Sequence, residues 1–175
     1  MTLSRRSMLG IGGAVLAAPL LGGTGARGAD ILDVAMRGNA EGSEVRFEPF
    51  GLLLRPGQTV RWTNKDAGNA HTTTAYHPDN DGHPLRIPAK AAPWNSDYLL
   101  PEESFSLMLT VPGVYDYFCV PHEHAGMVGR LVVMAPGQPP PEAPGGSPLK
   151  GAASDPFPPV SGIIRSGRVS KPAAI

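Results

Sequence analysis

The sequence predicts an all-β fold, a sandwich or barrel built from short antiparallel strands. Several short segments alternate apolar and polar side chains, the pattern of a half-buried strand, and turn residues separate them. Pro56-Gly57 and Pro112-Gly113 are two such turns. The 175 residues include 22 glycines and 20 prolines, which favours turns and loops over long helices. No helical periodicity of useful length competes with this interpretation.

Eight extended segments follow from this pattern. The clearest is Thr59–Asn64, with Val60 and Trp62 on one face. In chain order the segments are Ile31–Met36, Glu44–Phe47, Leu52–Leu54, Thr59–Asn64, His71–Ala75, Ser104–Val111, Val114–Cys119 and Val128–Met134.

Two stretches lie outside the strand pattern. Residues 76–100 contain four prolines and no clear periodicity, which predicts a long ordered loop. Residues 136–175 are rich in proline and glycine, which indicates a partly irregular C-terminal tail following a domain over 30–135. Within that tail, Phe157–Val169 has enough apolar residues to dock on the domain, and disorder is the alternative.

The N-terminus has the features of an export signal over residues 1–29. Ser4-Arg5-Arg6-Ser7-Met8-Leu9 precedes an apolar run from Gly10 to about Gly23, and adjacent arginines in this setting indicate the twin-arginine (Tat) class. An ordinary secretory signal or an uncleaved anchor are the alternatives, but the run is short for a span of about 20 residues. We therefore expect a periplasmic or otherwise extracytoplasmic protein, with cleavage between Ala26 and Ala29 and no membrane span in the mature form.

Charge and cysteine content exclude some functions. The chain has 15 basic and 15 acidic residues and no basic run, so nucleic acid is not expected as a partner. Its one cysteine excludes an internal disulfide. A lone thiol in an exported protein is either buried and inert or bound to a metal.

The surroundings of that cysteine favour metal binding. His122 follows Cys119 by three residues, and Met127 follows His122 by five. Thiolate, imidazole and thioether together suit copper in both of its oxidation states. A second imidazole has to come from elsewhere, and His71 can supply it. Zinc accepts the same imidazole and thiolate donors and remains the alternative metal.

The stretch Tyr117-Phe118-Cys119-Val120-Pro121-His122, followed by Ala125-Gly126-Met127-Val128-Gly129, resembles the copper loop of the plastocyanin and pseudoazurin group of cupredoxins. Upstream, Arg55–Asn64 and then His71 resemble the strand and first histidine of the same family. The resemblance covers about Ile31 to Met134. It departs at Thr72, where the family often has an asparagine that braces the cysteine loop.

The resemblance implies a Greek-key β-sandwich with one copper ion in a type 1 site. It implies ring-nitrogen ligands from His71 and His122, a thiolate ligand from Cys119 and a weak axial ligand from Met127. It also implies that electrons leave through the exposed edge of His122, where redox protein partners dock. A monomer is expected.

The expected function is therefore that of a single-electron carrier using Cu(II)/Cu(I), and not that of an enzyme. One alternative is copper storage or delivery, although the methionines do not cluster in the sequence. The other is a redox enzyme with a modified copper site, which Met127 at its usual offset argues against.

Three histidines are left over by a four-ligand site. His77, His83 and His124 are expected to be solvated loop residues, since polar loop side chains usually are. A weaker second metal site from His77 and His83 with Asp79 or Asp81 is the alternative. Glu123 is expected to be a surface charge that steers partners.

Overall fold

A computed structural model of the protein describes residues 31–39, 44–148 and 156–171. The predicted export signal lies outside these residues. No helix among them is long and apolar enough to cross a membrane. The elements are β1 (Ile31–Arg37), β2 (Arg46–Glu48), β3 (Gly51–Leu54), β4 (Gln58–Asn64), β5 (Thr74–Ala75), β6 (Ser104–Leu109), β7 (Gly113–Phe118), β8 (Val128–Val133), α1 (Val160–Ser166) and β9 (Arg168–Val169).

The strands form two sheets, which confirms the predicted β-sandwich. One sheet has the order β2-β1-β4-β6 and the other β5-β7-β8-β3-β9. The pairing is mixed, because β1 pairs with β4 and β3 pairs with β8 in parallel. These parallel pairs arise because the chain changes sheets between β2 and β3 and again between β3 and β4. The alternating pattern predicts which face a strand buries, and it does not report strand direction.

Aromatic side chains fill the space between the sheets. Trp62 of β4 is fully buried, and its ring lies 5.4 Å from that of Tyr117 on β7. Trp94, from the long loop, lies 5.9 Å from Trp62 on another side. The long loop is thus part of the core, and Leu99 near its end is also buried. The sequence shows no strand pattern there because these buried residues are spaced irregularly.

The C-terminal segment packs on the second sheet through a short helix and an added strand. Helix α1 places Ile163 and the preceding Pro158 against Gly51. A Cβ at Gly51 would lie 2.8 Å from Pro158 and 2.9 Å from Ile163, so this close approach requires glycine. Strand β9 then pairs antiparallel with β3. The helix was not predicted, because seven residues between prolines and glycines carry too little periodicity.

A buried ionic cluster links this segment to the sandwich. Asp116 of β7 accepts hydrogen bonds from Arg86 of the long loop and Arg130 of β8, at 2.7–3.0 Å. Both guanidinium groups lie about 5 Å from the ring of Phe157, at 5.0 and 4.9 Å. Arg130 also donates to the carbonyl oxygen of Pro158 at 3.1 Å. Charge-assisted hydrogen bonds and cation–π contacts therefore hold the C-terminal segment on the sandwich.

Candidate metal centre

The centre of the site is Cys119, which directly follows β7 and is fully buried. Three backbone hydrogen bonds fold the loop that follows it. The His122 amide donates to the Cys119 carbonyl at 3.0 Å, the Met127 amide donates to the His122 carbonyl at 3.1 Å, and the Cys119 amide donates to the Met127 carbonyl at 3.0 Å. These hydrogen bonds hold the backbone of the three candidate ligands of the loop in a closed arrangement.

His71 reaches the same place from a distant part of the chain. Its backbone pairs with Leu99, with His71 N to Leu99 O at 3.1 Å and Leu99 N to His71 O at 2.8 Å. Its side chain is fully buried. The long loop thus holds the first histidine in position by forming a short bridge with it.

The donor atoms of these three residues converge. Nδ1 of His71 lies 3.1 Å from Nδ1 of His122, and Sγ of Cys119 lies 3.6 and 3.5 Å from the two nitrogens. A point equidistant from all three atoms is about 2.0 Å from each, which is close to a metal–imidazole bond length. No other group of three or more His, Cys, Asp or Glu donors in the described part of the chain is close enough to hold a metal. Two imidazoles and a thiol at this spacing fit a copper ion.

Met127 is the fourth residue that the sequence analysis selected. It is fully buried and lies at the end of the same loop, bonded through its backbone to Cys119 and His122. Burial of a thioether beside the other three donors is compatible with an axial ligand.

Asp66 was not predicted as part of this site. Its Oδ2 lies 2.9 Å from Nε2 of His71, and its side chain is almost fully buried. A carboxylate only accepts hydrogen bonds, so Nε2 carries the hydrogen and Nδ1 presents a lone pair to the other donors. Gly68 N and Asn69 Nδ2 also donate to Asp66, each at 2.9 Å. The spacing of five residues before His71 is the signal that was available in the sequence.

The protonation of Asp66 follows from these contacts. Burial alone would raise its pKa, but the hydrogen bonds from Gly68, Asn69 and His71 bring the pKa below its ordinary value. An anionic carboxylate therefore backs the His71 ring. Such a contact orients a ligating imidazole and increases its basicity.

Thr72 takes over the bracing role expected of an asparagine. Its amide donates to Sγ of Cys119 at 3.3 Å, and its hydroxyl oxygen accepts from the Val120 amide at 2.9 Å. The hydroxyl also pairs with that of Thr74 at 2.9 Å. The departure from the family residue therefore leaves the cysteine loop tied to the strand region that carries His71.

Burial also affects the donors themselves. It raises the pKa of the Cys119 thiol to about 11. Desolvation, with a smaller contribution from nearby His71, lowers the pKa of His122. Without a metal, the thiol is protonated and His122 is neutral at neutral pH. Metal binding has to displace the thiol proton.

The remaining histidines are placed differently from one another. His124 is exposed, and Nδ1 of His77 lies 3.5 Å from Asp79 at the surface. His83 is not simply solvated, because its ring stacks on Phe118 at 4.4 Å and its Nε2 lies 3.2 Å from Glu123. The described residues do not bring His77, His83 and an aspartate together as a second metal site.

Glu123 is also not a free surface charge. Its side chain is 12% exposed, and it accepts a hydrogen bond from the Tyr76 hydroxyl at 2.7 Å. Together with His83 it joins the copper loop to the long loop. The expectation that Glu123 steers partners overlooked these contacts, which join residues 40 or more positions apart.

Comparison with known proteins agrees with this geometry. Residues 34–134, more than half of the chain, match the model of the copper-binding proteins of the plastocyanin/azurin family. The chain belongs to this family. It is thus a cupredoxin, and copper is its cofactor.

Individual relatives are plastocyanins. The chain is 36% identical over 102 residues to the chloroplastic plastocyanin of Chlamydomonas reinhardtii, covering 58% of this chain and 67% of the relative. It is 37% identical over 102 residues to the plastocyanin of Scenedesmus fuscus, covering 58% of this chain and 99% of the relative. Among solved structures, a pseudoazurin from Sinorhizobium matches with 29% identity and a TM-score of 0.47, over 61% of this chain and 76% of that one.

Proposed function

We propose that this cupredoxin carries single electrons between redox proteins at one mononuclear type 1 copper site formed by His71, Cys119, His122 and Met127. The observation that carries the proposal is the triangle of two imidazole nitrogens and one thiol sulfur, 3.1–3.6 Å apart. Bound copper would supply the Cu(II)/Cu(I) couple. The protein supplies two fully buried donors, His71 and Cys119, and a third, His122, that is partly exposed.

Rigidity of the donors favours fast electron transfer. Cys119 is held at the end of a strand, His71 is held by a backbone bridge, and the loop is closed by its own hydrogen bonds. Ligands that are held in place by the surrounding chain move little when the charge of the metal changes. A small rearrangement on oxidation and reduction lowers the barrier for the transfer.

The route for the electron runs through His122. Among the three triangle residues it alone is partly exposed, while His71 and Cys119 are fully buried. Pro121 and Ala125, both exposed and uncharged, flank it. We propose that redox partners dock over this surface, since it gives the shortest path from solvent to the site.

Export completes the proposal. The twin-arginine pattern in residues 1–29 supports delivery of the folded protein across a membrane to the periplasm or another extracytoplasmic compartment. In this proposal the copper domain over 30–135 and the tail over 136–175 travel together. Fractionation of cells carrying the wild-type protein or an Arg5→Lys, Arg6→Lys variant tests it, and unchanged export of the variant would contradict the Tat assignment.

The copper site is tested by adding one equivalent of Cu(II) and recording visible absorption and EPR spectra. An intense blue band with narrow copper hyperfine splitting is expected for the wild type, because a thiolate in a trigonal site produces it. Cys119→Ser and His122→Ala should each abolish the band. His124→Ala is the matched control, since His124 is exposed in the same loop and should leave the band unchanged.

The opposite result for the two histidine variants would overturn the ligand assignment. A pale copper spectrum that survives in Cys119→Ser would place the metal on histidines elsewhere. That outcome would favour copper storage or delivery over electron transfer.

A further inference from the structure

The C-terminal segment lies outside the part of the chain that matches the family, which ends at residue 134. It nevertheless reaches the copper loop. Its part that begins at residue 156 is held by the buried arginines, which contact Phe157 and Pro158. Helix α1 then packs over Gly51 through Ile163.

Strand direction explains where the segment goes next. Strand β9 runs antiparallel to β3, with Val169 opposite Gly51. Strand β3 is parallel to β8, with Gly51 opposite Arg130. The chain leaving β9 therefore heads toward the start of β8, which is the end where Met127 precedes Val128. After β9, the Ser170 hydroxyl donates a hydrogen bond to the carboxylate of Glu48, which stabilises this path of the chain.

The last described residue of the segment, Lys171, contacts the copper loop. Nζ of Lys171 donates a hydrogen bond to the carbonyl oxygen of Gly126 at 2.9 Å. Gly126 has φ of +77°, a backbone conformation that favours glycine. The Gly126 amide donates to the backbone carbonyl oxygen of Glu123 at 2.8 Å. The peptide unit between Gly126 and Met127 is thus held at the carbonyl by Lys171, next to the candidate axial ligand.

We propose that Lys171 is a positioning residue for the copper loop, which fixes the Gly126–Met127 peptide and places a positive charge beside the site. The inference rests on the proposed copper site. The contact comes from a side chain 45 residues away along the chain from the carbonyl that it binds. The spacing of residues within the copper loop therefore could not have predicted this contact.

Two physical consequences follow. A cation bonded to the loop carbonyl disfavours Cu(II) relative to Cu(I), because the oxidised ion carries one more positive charge. A held carbonyl also limits motion of the adjoining Met127 amide, which is bonded to His122. The first consequence raises the reduction potential, and the second slows local opening of the loop.

The experiment compares Lys171→Met, Lys171→Arg and Lys90→Met in the full chain. Lys90 is exposed and lies two residues after Pro88, which contacts Gly113 at the start of β7, the end of that strand away from Cys119. Lys90→Met therefore removes the same charge far from the copper loop. Midpoint potentials are measured on the copper-loaded proteins, and hydrogen exchange of the Met127 amide is measured on the metal-free proteins.

Lys171→Met should lower the midpoint potential, by a shift equal to roughly a tenfold change in the Cu(I)-to-Cu(II) affinity ratio, or about 59 mV for a one-electron couple. It should also speed exchange of the Met127 amide. Lys171→Arg should keep the midpoint potential and the exchange rate of the Met127 amide near their wild-type values, since arginine is also a cationic hydrogen-bond donor. Lys90→Met should change the potential much less and leave the exchange rate unchanged.

Equal shifts for Lys171→Met and Lys90→Met, with unchanged exchange at Met127, would overturn this inference while leaving a blue wild-type protein intact. Absence of the blue band in the wild type would instead overturn the proposed function. In that case the exchange measurement on metal-free protein still decides whether Lys171 restrains the loop.

Discussion

Two polar clusters lie buried beside strand β7, one on the strand and one just after it, and they are organised in opposite ways. Around Asp116, each strong donor or acceptor meets a complementary partner: carboxylate oxygens face guanidinium groups, and Arg130 also reaches the carbonyl of Pro158. Around Cys119, two ring nitrogens and a sulfur face one another at 3.1–3.6 Å. Groups of this second kind are all potential ligands, and none is the charged partner of another.

This difference distinguishes a cluster that stabilises the fold from a cluster that can bind a metal. A buried polar cluster whose members satisfy one another holds chain segments together, and here it joins the long loop, β7, β8 and the C-terminal segment. A buried cluster whose lone pairs converge on a common point is suited to a metal. Asp116 and Cys119 are only three residues apart, so the strand itself does not decide which kind forms.

The largest expected effect is on the first cluster. Asp116→Ala leaves two arginines buried without the carboxylate between them, which should lower the free energy of unfolding by about 3–5 kcal/mol. Chemical denaturation of the metal-free protein measures this. The folded fraction of the copper-loaded protein should keep the blue spectrum, because the variant changes none of the proposed copper ligands.

Asp33→Ala is the matched control for that variant. Asp33 pairs with Arg61 at the surface, where the side chains are 60% and 43% exposed, and losing such a pair costs less than about 1 kcal/mol. If both variants lost similar stability, the buried cluster would not be the anchor described above.

The second expected effect is on the metal site. Asp66→Asn removes the negative charge behind His71 and should weaken Cu(II) binding by about 10- to 100-fold. Its effect on unfolding should be smaller than that of Asp116→Ala, because an amide oxygen can still accept from His71. Competition with a chelator of known affinity measures the binding.

Asp79→Asn provides the comparison, since Asp79 also lies beside a histidine, His77, but outside the site. It should leave copper binding unchanged. A wild-type copper affinity in Asp66→Asn would show that the carboxylate does not support His71 as a ligand.

The smallest expected effect is at Thr72, which joins the copper loop to the region that carries His71. Thr72→Val keeps the shape of the side chain but removes the oxygen that accepts from Val120. Because Val120 is only partly buried, the cost in unfolding should be about 0.5–1.5 kcal/mol. Freed from this contact, the start of the cysteine loop should shift the position of the blue band slightly. Thr110→Val, at an exposed threonine, should change neither. An unchanged band in both would restrict Thr72 to a structural role.

Much of the fold was predictable because strand patterns are local. Six of the eight extended segments overlap a strand of the structure over most of their length, and half of Glu44–Phe47 lies in β2. The remaining segment, His71–Ala75, forms only the short strand Thr74–Ala75. The difference has a physical cause. The backbone of His71 pairs with Leu99 from the long loop instead of extending β5.

The spacing of Cys119, His122 and Met127 was readable for the same reason. One short loop carries all three, so their proximity follows from the sequence. The prediction of His71 as a ligand depended on the family resemblance as well, because no local pattern between residues 71 and 119 indicates that these two residues lie close together.

By itself, the sequence predicted the β-sandwich and the family, both of which are confirmed, since each depends on patterns within a few positions. It also predicted the ligands in one short copper loop, which stay a prediction. Only the tertiary structure decided that Asp66 supports His71, that Arg86 and Arg130 share Asp116, and that Lys171 bonds to Gly126. The contacts of Arg86, Arg130 and Lys171 join residues 14 to 45 positions apart. Asp66 lies only five positions before His71, but an aspartate at that spacing does not by itself indicate a contact with the ring. Such pairs form only when strand order and direction bring them together, and a local pattern carries no information about either.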